Sequence, residues 1–141
     1  MAKILFLLKP NALISSIFQE EGFRYEEYQN IEGVYYLLIE KEGIALASGI
    51  LSKIDPELYQ INYLAVNKIA RKLKIGTYAV KAMCTKVKIL GGRNVIVTSP
   101  SSLIPFFKNL DFKIIDNIEN NSFLMKKRLK FAKYSKNNNQ Y

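Results

Sequence analysis

The sequence predicts a mixed α+β domain built around one β-sheet. Two apolar strand segments flank the turn sequence Lys41-Glu42-Gly43, which is typical of an antiparallel hairpin. Further along, a long amphipathic segment lies between two strand segments and indicates a helical crossover. The chain has 141 residues, of which 49% are hydrophobic, enough for one domain with a buried core. The expected order of elements is β-α-loop-β-β-β-α-β-α-β-β.

The first elements are a strand and a capped helix. Residues 3–8 are an apolar block and predict a short strand. Asn11 is a favourable N-cap for a helix over 12–21, and Gly22 is a typical helix end. The apolar residues of this helix share one face: Leu13, Ile14, Ile17 and Phe18. Residues 24–33 are polar and acidic, and we expect a loop or a short helix there.

Three strands and a long helix are expected next. Residues 34–40 and 44–52 form the arms of the hairpin, and a turn at Asp55-Pro56-Glu57 leads into a strand over 58–66. Apolar residues at helical spacing predict a helix over about 73–90. Gly91-Gly92 ends this helix, and the apolar stretch 94–98 predicts the following strand.

The C-terminal elements are a short helix and a second hairpin. Ser99-Pro100-Ser101-Ser102 has the residue types of a helix cap, and we expect a helix from there to about Leu110. Residues 113–118 and 122–128 predict two strands around the turn 119–121. We therefore expect one domain over 1–128, followed by a basic, flexible tail over 129–141.

Composition excludes several classes of function. No apolar stretch approaches the roughly 20 residues of a membrane span, so we expect no membrane contact. The single cysteine, Cys84, cannot form an internal disulfide, which favours a cytoplasmic protein. The absence of histidine excludes histidine-based catalysis and the usual zinc sites, and we expect no metal.

Charge is distributed unevenly along a chain whose formal net charge is +9. Residues 1–57 have nine acidic and five basic side chains, whereas 58–110 have nine basic side chains and no acidic one. This asymmetry suggests two differently charged ligands or surfaces. A general richness of the organism's proteins in Lys, Ile and Asn is the alternative explanation.

Residues 59–76 predict an anion site. An apolar strand runs into a basic turn that opens a helix, and no carboxylate is nearby in the sequence. A helix start has N–H groups without intrahelical partners and a partial positive charge, so it binds phosphate readily. The basic residues around it are Lys68, Arg71, Lys72 and Lys74. The alternative is a solvated basic face at a helix start.

Three segments in this order resemble the GNAT superfamily of acyl-CoA-dependent N-acyltransferases over about 34–128. Leu64-Ala65-Val66 is similar to its apolar strand end, and the segment 71–76 is similar to its Arg/Gln-x-x-Gly-x-Gly/Ala loop, with Lys74 in place of the first glycine. The block 106–112 is similar to its aromatic-Tyr-x-x-Leu-Gly-Phe sequence. Here Phe107 stands where Tyr is usual, and Asp111 where Gly is usual.

The resemblance implies a fold and a cosubstrate. The fold is a central twisted mixed sheet of six to seven strands with about four helices and a splay between the strands that end near Val66 and Thr98. The cosubstrate is acetyl-CoA, or another acyl-CoA, with main-chain N–H groups of the loop holding its pyrophosphate and the backbone of Leu64 or Val66 donating to the thioester oxygen. The implied cosubstrate-binding residues are Leu64, Ala65, Val66, Arg71, Lys72, Leu73, Lys74, Ile75, Gly76 and Thr77.

The implied reaction is direct attack of a primary amine on the thioester. Its acid and base are not identified, because Phe107 and Asn62 stand where the family commonly has Tyr and a strand carboxylate. Tyr59, Tyr63 or Tyr78 are possible substitute acids. The base is left open among Glu20, Glu21, Glu26, Glu27, Glu32, Glu40 and Glu57.

Charge bears on the acceptor and on one competing function, whereas the missing tyrosine and strand carboxylate suggest another. An acidic cluster in the region that lines the acceptor entrance of the resembled fold favours a cationic acceptor: a polyamine, a lysine or a peptide N-terminus. That cluster is Glu20, Glu21, Glu26, Glu27 and Glu32. One alternative is an acyl-CoA sensor that transfers nothing, and another is a nucleic-acid-binding protein that uses the basic tail, which lacks a readout motif. A homodimer through the C-terminal strands is implied by resemblance only.

Overall fold

The computed structural model describes residues 2–24, 28 and 31–130, and that part of the chain forms one seven-stranded sheet with three α-helices. The elements are β1 Lys3–Leu7, α1 Ala12–Glu20, β2 Val34–Lys41, β3 Ile44–Asp55, β4 Leu58–Val66, α2 Ile75–Ile89, β5 Asn94–Pro100, α3 Ile104–Lys108, β6 Lys113–Glu119 and β7 Ser122–Arg128. Two 3₁₀ turns, Lys68–Leu73 and Ser101–Leu103, precede α2 and α3. Glu26, Glu27 and the tail from 131 onward lie outside the described residues.

The sheet is mixed, as the sequence predicts. Its strand order is β1-β2-β3-β4-β5-β7-β6, and every neighbouring pair is antiparallel except β4 and β5. The crossover between these two parallel strands contains α2, which is the connection that parallel neighbours require. The described residues contain three α-helices where about four were expected.

Local signals set several boundaries correctly. Asn11 Oδ1 accepts the N–H of Ile14 at 3.0 Å and caps α1 as predicted. In the hairpin turn, Glu42 and Gly43 both have positive φ values of 51° and 78°, the combination that a tight two-residue hairpin requires. The predicted bounds of β4, 58–66, are those of the structure.

Two helix starts differ from the prediction. α2 begins at Ile75 because residues 68–73 form a 3₁₀ turn, capped by Asn67, whose Oδ1 accepts the N–H of Ile69 at 3.0 Å. The predicted serine cap of the next helix is wrong. Ser99 and Pro100 instead continue β5, because β7 pairs with them, and α3 has no side-chain cap.

Two hydrophobic clusters cover opposite faces of the sheet. In β2, Tyr36 and Leu38 belong to the cluster under α1, whereas Leu37 and Ile39 belong to the cluster under α2. Phe107 belongs to the second cluster and is 5% exposed. Among the described residues, no helix has the length and apolar character that crossing a membrane requires.

Candidate active site

A cleft opens where β4 and β5 separate. The two strands pair only between Leu58–Ile61 and 94–97, although both continue further. The cause is a β-bulge: Tyr63 faces Ile50 of β3 and Ile61 faces Leu51, so that Asn62 is an extra residue on β4. A bulge bends its strand and is common beside active sites. The expected splay is therefore confirmed, and it starts at Asn62.

The cleft has a volume of about 790 Å³. The residues that line it are Glu21, Ile61, Asn62, Tyr63, Leu64, Ala65, Val66, Arg71, Lys74, Gly76, Thr77, Val97, Thr98, Pro100, Leu103, Phe106 and Phe107. Most of the predicted cosubstrate-binding residues are therefore brought together here. Leu73 and Ile75 are not lining residues, and the side chain of Lys72 lies outside what the structure describes.

The hydrogen-bond phase of β4 shows which main-chain groups face the cleft. The N–H of Asn67 donates to Leu46 O at 2.8 Å, just beyond the last β3–β4 pair. Antiparallel ladders alternate, so every second residue before Asn67 also uses its N–H and C=O toward β3. The residues between them, Leu64 and Val66, turn theirs to the other edge of β4, which is the cleft. These are the two residues expected as oxyanion donors.

The start of α2 supplies further N–H groups. Lys74 precedes the helix without a side-chain cap, and the N–H of Tyr78 donates to Lys74 O at 3.3 Å. The N–H groups of the first turn of α2, before Tyr78, therefore have no acceptor within that helix. A Cβ built on Gly76 would lie 3.6 Å from Phe106 Cζ and 3.7 Å from Val66 Cγ2, which is ordinary contact. Folding alone does not require glycine at this position.

Charged side chains at the cleft include both signs. Arg71 Nη2 lies 3.0 Å from Glu21 Oε1, and Arg71 Nε donates to Val66 O at 3.2 Å. The anion site therefore has a carboxylate nearby in space, although it has none nearby in sequence. Of the four predicted cations, Arg71 and Lys74 line the cleft, and Lys68 is exposed elsewhere.

Comparisons with known proteins identify this architecture. No family model matches the sequence, and no curated protein matches it. Ard1 from Thermoplasma volcanium superposes with a TM-score of 0.74 at 16% identity, over 92% of this chain and 99% of that one. A GNAT family acetyltransferase from Elizabethkingia anophelis with acetyl-CoA bound gives 0.72 at 15%, over 91% and 98%. The ribosomal-protein-S18-alanine N-acetyltransferase from Escherichia coli gives 0.75 at 13%, over 94% and 96%.

The protein has the GNAT fold. Its splayed strands, the loop before α2 and the block that contains Phe107 all contribute residues to the same cleft. The likeness at these identities concerns the fold alone. What the cleft does has to be argued from its residues.

Two departures from the GNAT sequence pattern keep a glycine-like backbone. Lys74 has φ 58° and ψ 28°, and Asp111 has φ 70°, both in the left-handed region. A residue with a Cβ pays about 1–2 kcal/mol in this conformation, whereas glycine adopts it freely. At both positions where this chain replaces a glycine of the pattern, the backbone therefore has a conformation that glycine favours.

Phe107 lies at the cleft with its ring held by two other phenylalanines. Its centroid is 5.0 Å from that of Phe106 and 5.4 Å from that of Phe112, both edge-to-face. The ring is therefore part of the packed core as well as of the cleft lining. It offers no proton to a reaction.

Tyr63 is the tyrosine candidate that the structure places at the cleft. It stacks on Phe23 with centroids 3.6 Å apart and an interplanar angle of 4°. Burial, and secondarily the charge of Glu21, raise the pKa of Tyr63 above its ordinary value, so the phenol stays protonated. Tyr59 is buried in the core, and Tyr78 is 54% exposed.

Asn62 is held by the neighbouring strand. Ser52 Oγ donates to Asn62 Oδ1, which fixes the side chain of the bulge residue. An amide here cannot act as a carboxylate base. Among the described residues, Glu21 is the acidic side chain that lines the cleft, and sequence alone did not separate it from six other glutamates. The described residues contain no cluster of three or more potential metal ligands.

Proposed function

We propose that the protein is an N-acetyltransferase that transfers an acetyl group from acetyl-CoA to a primary amine. One observation supports this most strongly: the outward main-chain groups of β4 and the first turn of α2 meet in one cleft. A ligand that carries both amide groups and a diphosphate matches this pair of features. Acyl-CoA is such a ligand.

Main-chain atoms would hold most of the cosubstrate. Free N–H groups at the start of α2 would bind the pyrophosphate, and the absence of a side chain at Gly76 leaves that surface open. The outward groups of Leu64 and Val66 would pair with pantetheine amides as though an extra strand were added. The proposed binding residues are those expected from the sequence, 64–66 and 71–77.

The chemistry is nucleophilic attack by a neutral amine on the thioester carbon. A C–N bond forms, the C–S bond breaks, and the amine proton is released as the thiolate takes up a proton. An outward N–H of β4 would stabilise the charge that develops on the thioester oxygen. Because a thiol has an ordinary pKa of about 8.5, the thiolate leaves without an acid at Phe107, although more slowly.

Two side chains of the cleft are suited to assist this reaction. Tyr63 is a protonated phenol and can donate a proton. Glu21 offers an anionic side chain that can pair with the incoming ammonium, whose proton passes to water before attack. Glu21 also favours a cationic acceptor. It follows α1, whose C-terminal end carries a partial negative charge and whose last turn has no basic residue.

An acyl-CoA sensor is the second candidate. It is favoured by Phe107, which places a ring where a GNAT enzyme commonly has the hydroxyl of a tyrosine. Such a protein would bind acetyl-CoA in the same cleft and release no thiol.

Thiol release separates the two candidates. Acetyl-CoA is incubated with the protein and, in turn, spermidine, a lysine peptide and a peptide with a free N-terminus. The enzyme predicts amine-dependent release of coenzyme A and an acetylated product by mass spectrometry. Binding of acetyl-CoA without release for any of these amine classes would favour the sensor.

Two further proposals concern the setting of the activity. We propose a cytoplasmic location, since Cys84 is a free thiol and reducing compartments preserve free thiols. We also propose a homodimer through the C-terminal strands, because β6 is an edge strand with exposed Ile115 and Ile118. Light scattering after size-exclusion chromatography tests the dimer, and a monomer at all concentrations would contradict it.

A further inference from the structure

Arg71 stands between two possible anionic partners. Its Nη2 contacts Glu21 Oε1 at 3.0 Å, and its Nε is anchored on Val66 O at 3.2 Å. The same residue begins the loop that receives a diphosphate under the proposed function. Arg71 and Glu21 both line the cleft, so a ligand there competes directly for this guanidinium.

The ion pair is weak enough to be exchanged. The side chains of Arg71 and Glu21 are 52% and 30% exposed, and solvent screens such pairs strongly. A diphosphate offers several charged oxygens, to which an arginine can donate two hydrogen bonds at once. The positive end of α2 favours the anion further. Arg71 therefore gains more from the phosphates than from Glu21.

Glu21 loses its cationic partner when Arg71 moves to the diphosphate. It directly follows the negative end of α1, and Glu20 lies next to it in the sequence. A carboxylate in that field attracts positive charge. The acceptor of an N-acetyltransferase enters as an ammonium ion, which is such a charge.

We propose that Arg71 is a positioning residue that leaves Glu21 for the diphosphate when acyl-CoA binds. The exchange makes Glu21 available to the acceptor's ammonium. The outer main-chain oxygen of β4, Val66 O, shares the same arginine and is part of the same exchange. This inference rests on the proposed function, since it requires coenzyme A in this cleft.

Calorimetric titration with coenzyme A tests the exchange. Glu21→Gln removes the competitor for Arg71 and is expected to tighten binding about twofold to fivefold, the equivalent of an exposed ion pair. Glu20→Gln is the matched control, because it removes the same charge from the neighbouring exposed residue outside the cleft lining. It is expected to change the affinity by less than twofold.

The same pair of variants in an Arg71→Ala background completes the test. In that background the increase in coenzyme A affinity caused by Glu21→Gln should fall to the change caused by Glu20→Gln, because no arginine is left to exchange partners. If the increase in affinity persists without Arg71, Glu21 simply repels the phosphates, and the proposed exchange is wrong. Weaker binding by Glu21→Gln would show that the pair only supports the loop, and would also overturn it. If wild-type protein does not bind coenzyme A, the proposed function itself fails.

Discussion

Two sets of residues meet in the cleft, and they differ in how the chain brings them there. The loop set, residues 71–77, is one continuous segment that would bind through main-chain groups at a helix start. The assembled set, Glu21, Asn62, Tyr63 and Phe107, comes from the end of α1, from β4 and from α3, and would act through side chains. Under the proposed function, binding through the main chain of one segment would tolerate changes of side chain, whereas proton transfer would depend on individual residues.

The largest expected effect concerns the assembled set. Phe107→Tyr adds a hydroxyl at the cleft and should raise kcat for thiol release about 10²-fold, the lower end of what a general acid contributes. The lower end is expected because the thiolate leaves moderately well unaided. Phe106→Tyr is the control, since it adds the same hydroxyl to the neighbouring lining residue. Equal kcat values for the two variants would show that residue 107 does not lie close to the sulfur of the thioester.

The next effect concerns the loop set. Gly76→Glu places a carboxylate in the first turn of α2 and should weaken coenzyme A binding at least about 10-fold, as expected for loss of a hydrogen bond to a charged group. Stability should be little changed, because a Cβ at this position makes only ordinary contacts and the helix dipole favours the charge. Thr85→Glu adds the same charge on an exposed position of α2 as a control. If both variants bind equally, the phosphates lie elsewhere.

A smaller effect concerns the backbone of the loop. Lys74→Gly relieves the left-handed strain and should raise the free energy of unfolding by about 1 kcal/mol relative to Lys74→Ala, which loses the same charge but keeps a Cβ. Urea denaturation of the two variants measures the difference. Equal stability would mean that Lys74 does not hold this conformation in solution.

The smallest effect is a pH dependence at Tyr63. Its raised pKa means that the unfolded chain ionises first, so the free energy of unfolding is unaffected below about pH 10 and falls as the pH rises further. Tyr63→Phe should reduce that fall, whereas Tyr78→Phe, at an exposed position, serves as the control. If the free energy of unfolding fell more steeply with pH in Tyr63→Phe than in the wild-type protein, the pKa of Tyr63 would not be raised by folding.

Local signals allowed most of the fold to be predicted. The Asn11 cap, the hairpin turn at 42–43 and the bounds of β4 depend on neighbouring residues, and the structure agrees with them. The cap at 99–102 failed because pairing with β7 extended β5 through Ser99 and Pro100. Tertiary pairing there outweighed a local preference.

The candidate site was predictable only where it is continuous in sequence. Nothing in the sequence marks Asn62 as a bulge, since the extra residue is defined by the register with β3. The contact of Glu21 with Arg71 joins residues 50 positions apart. Such pairs follow from how α1 packs on the sheet, and seven glutamates were equally eligible before that packing was known.

Titration of coenzyme A into the wild-type protein and Gly76→Glu tests the central claim most directly. We expect one site per chain, binding that weakens as salt is added, and a clear loss of affinity in the variant. The absence of binding by the folded wild-type protein at up to about 1 mM, the upper range of usual KM values, would contradict it. Undiminished binding by Gly76→Glu would contradict it as well.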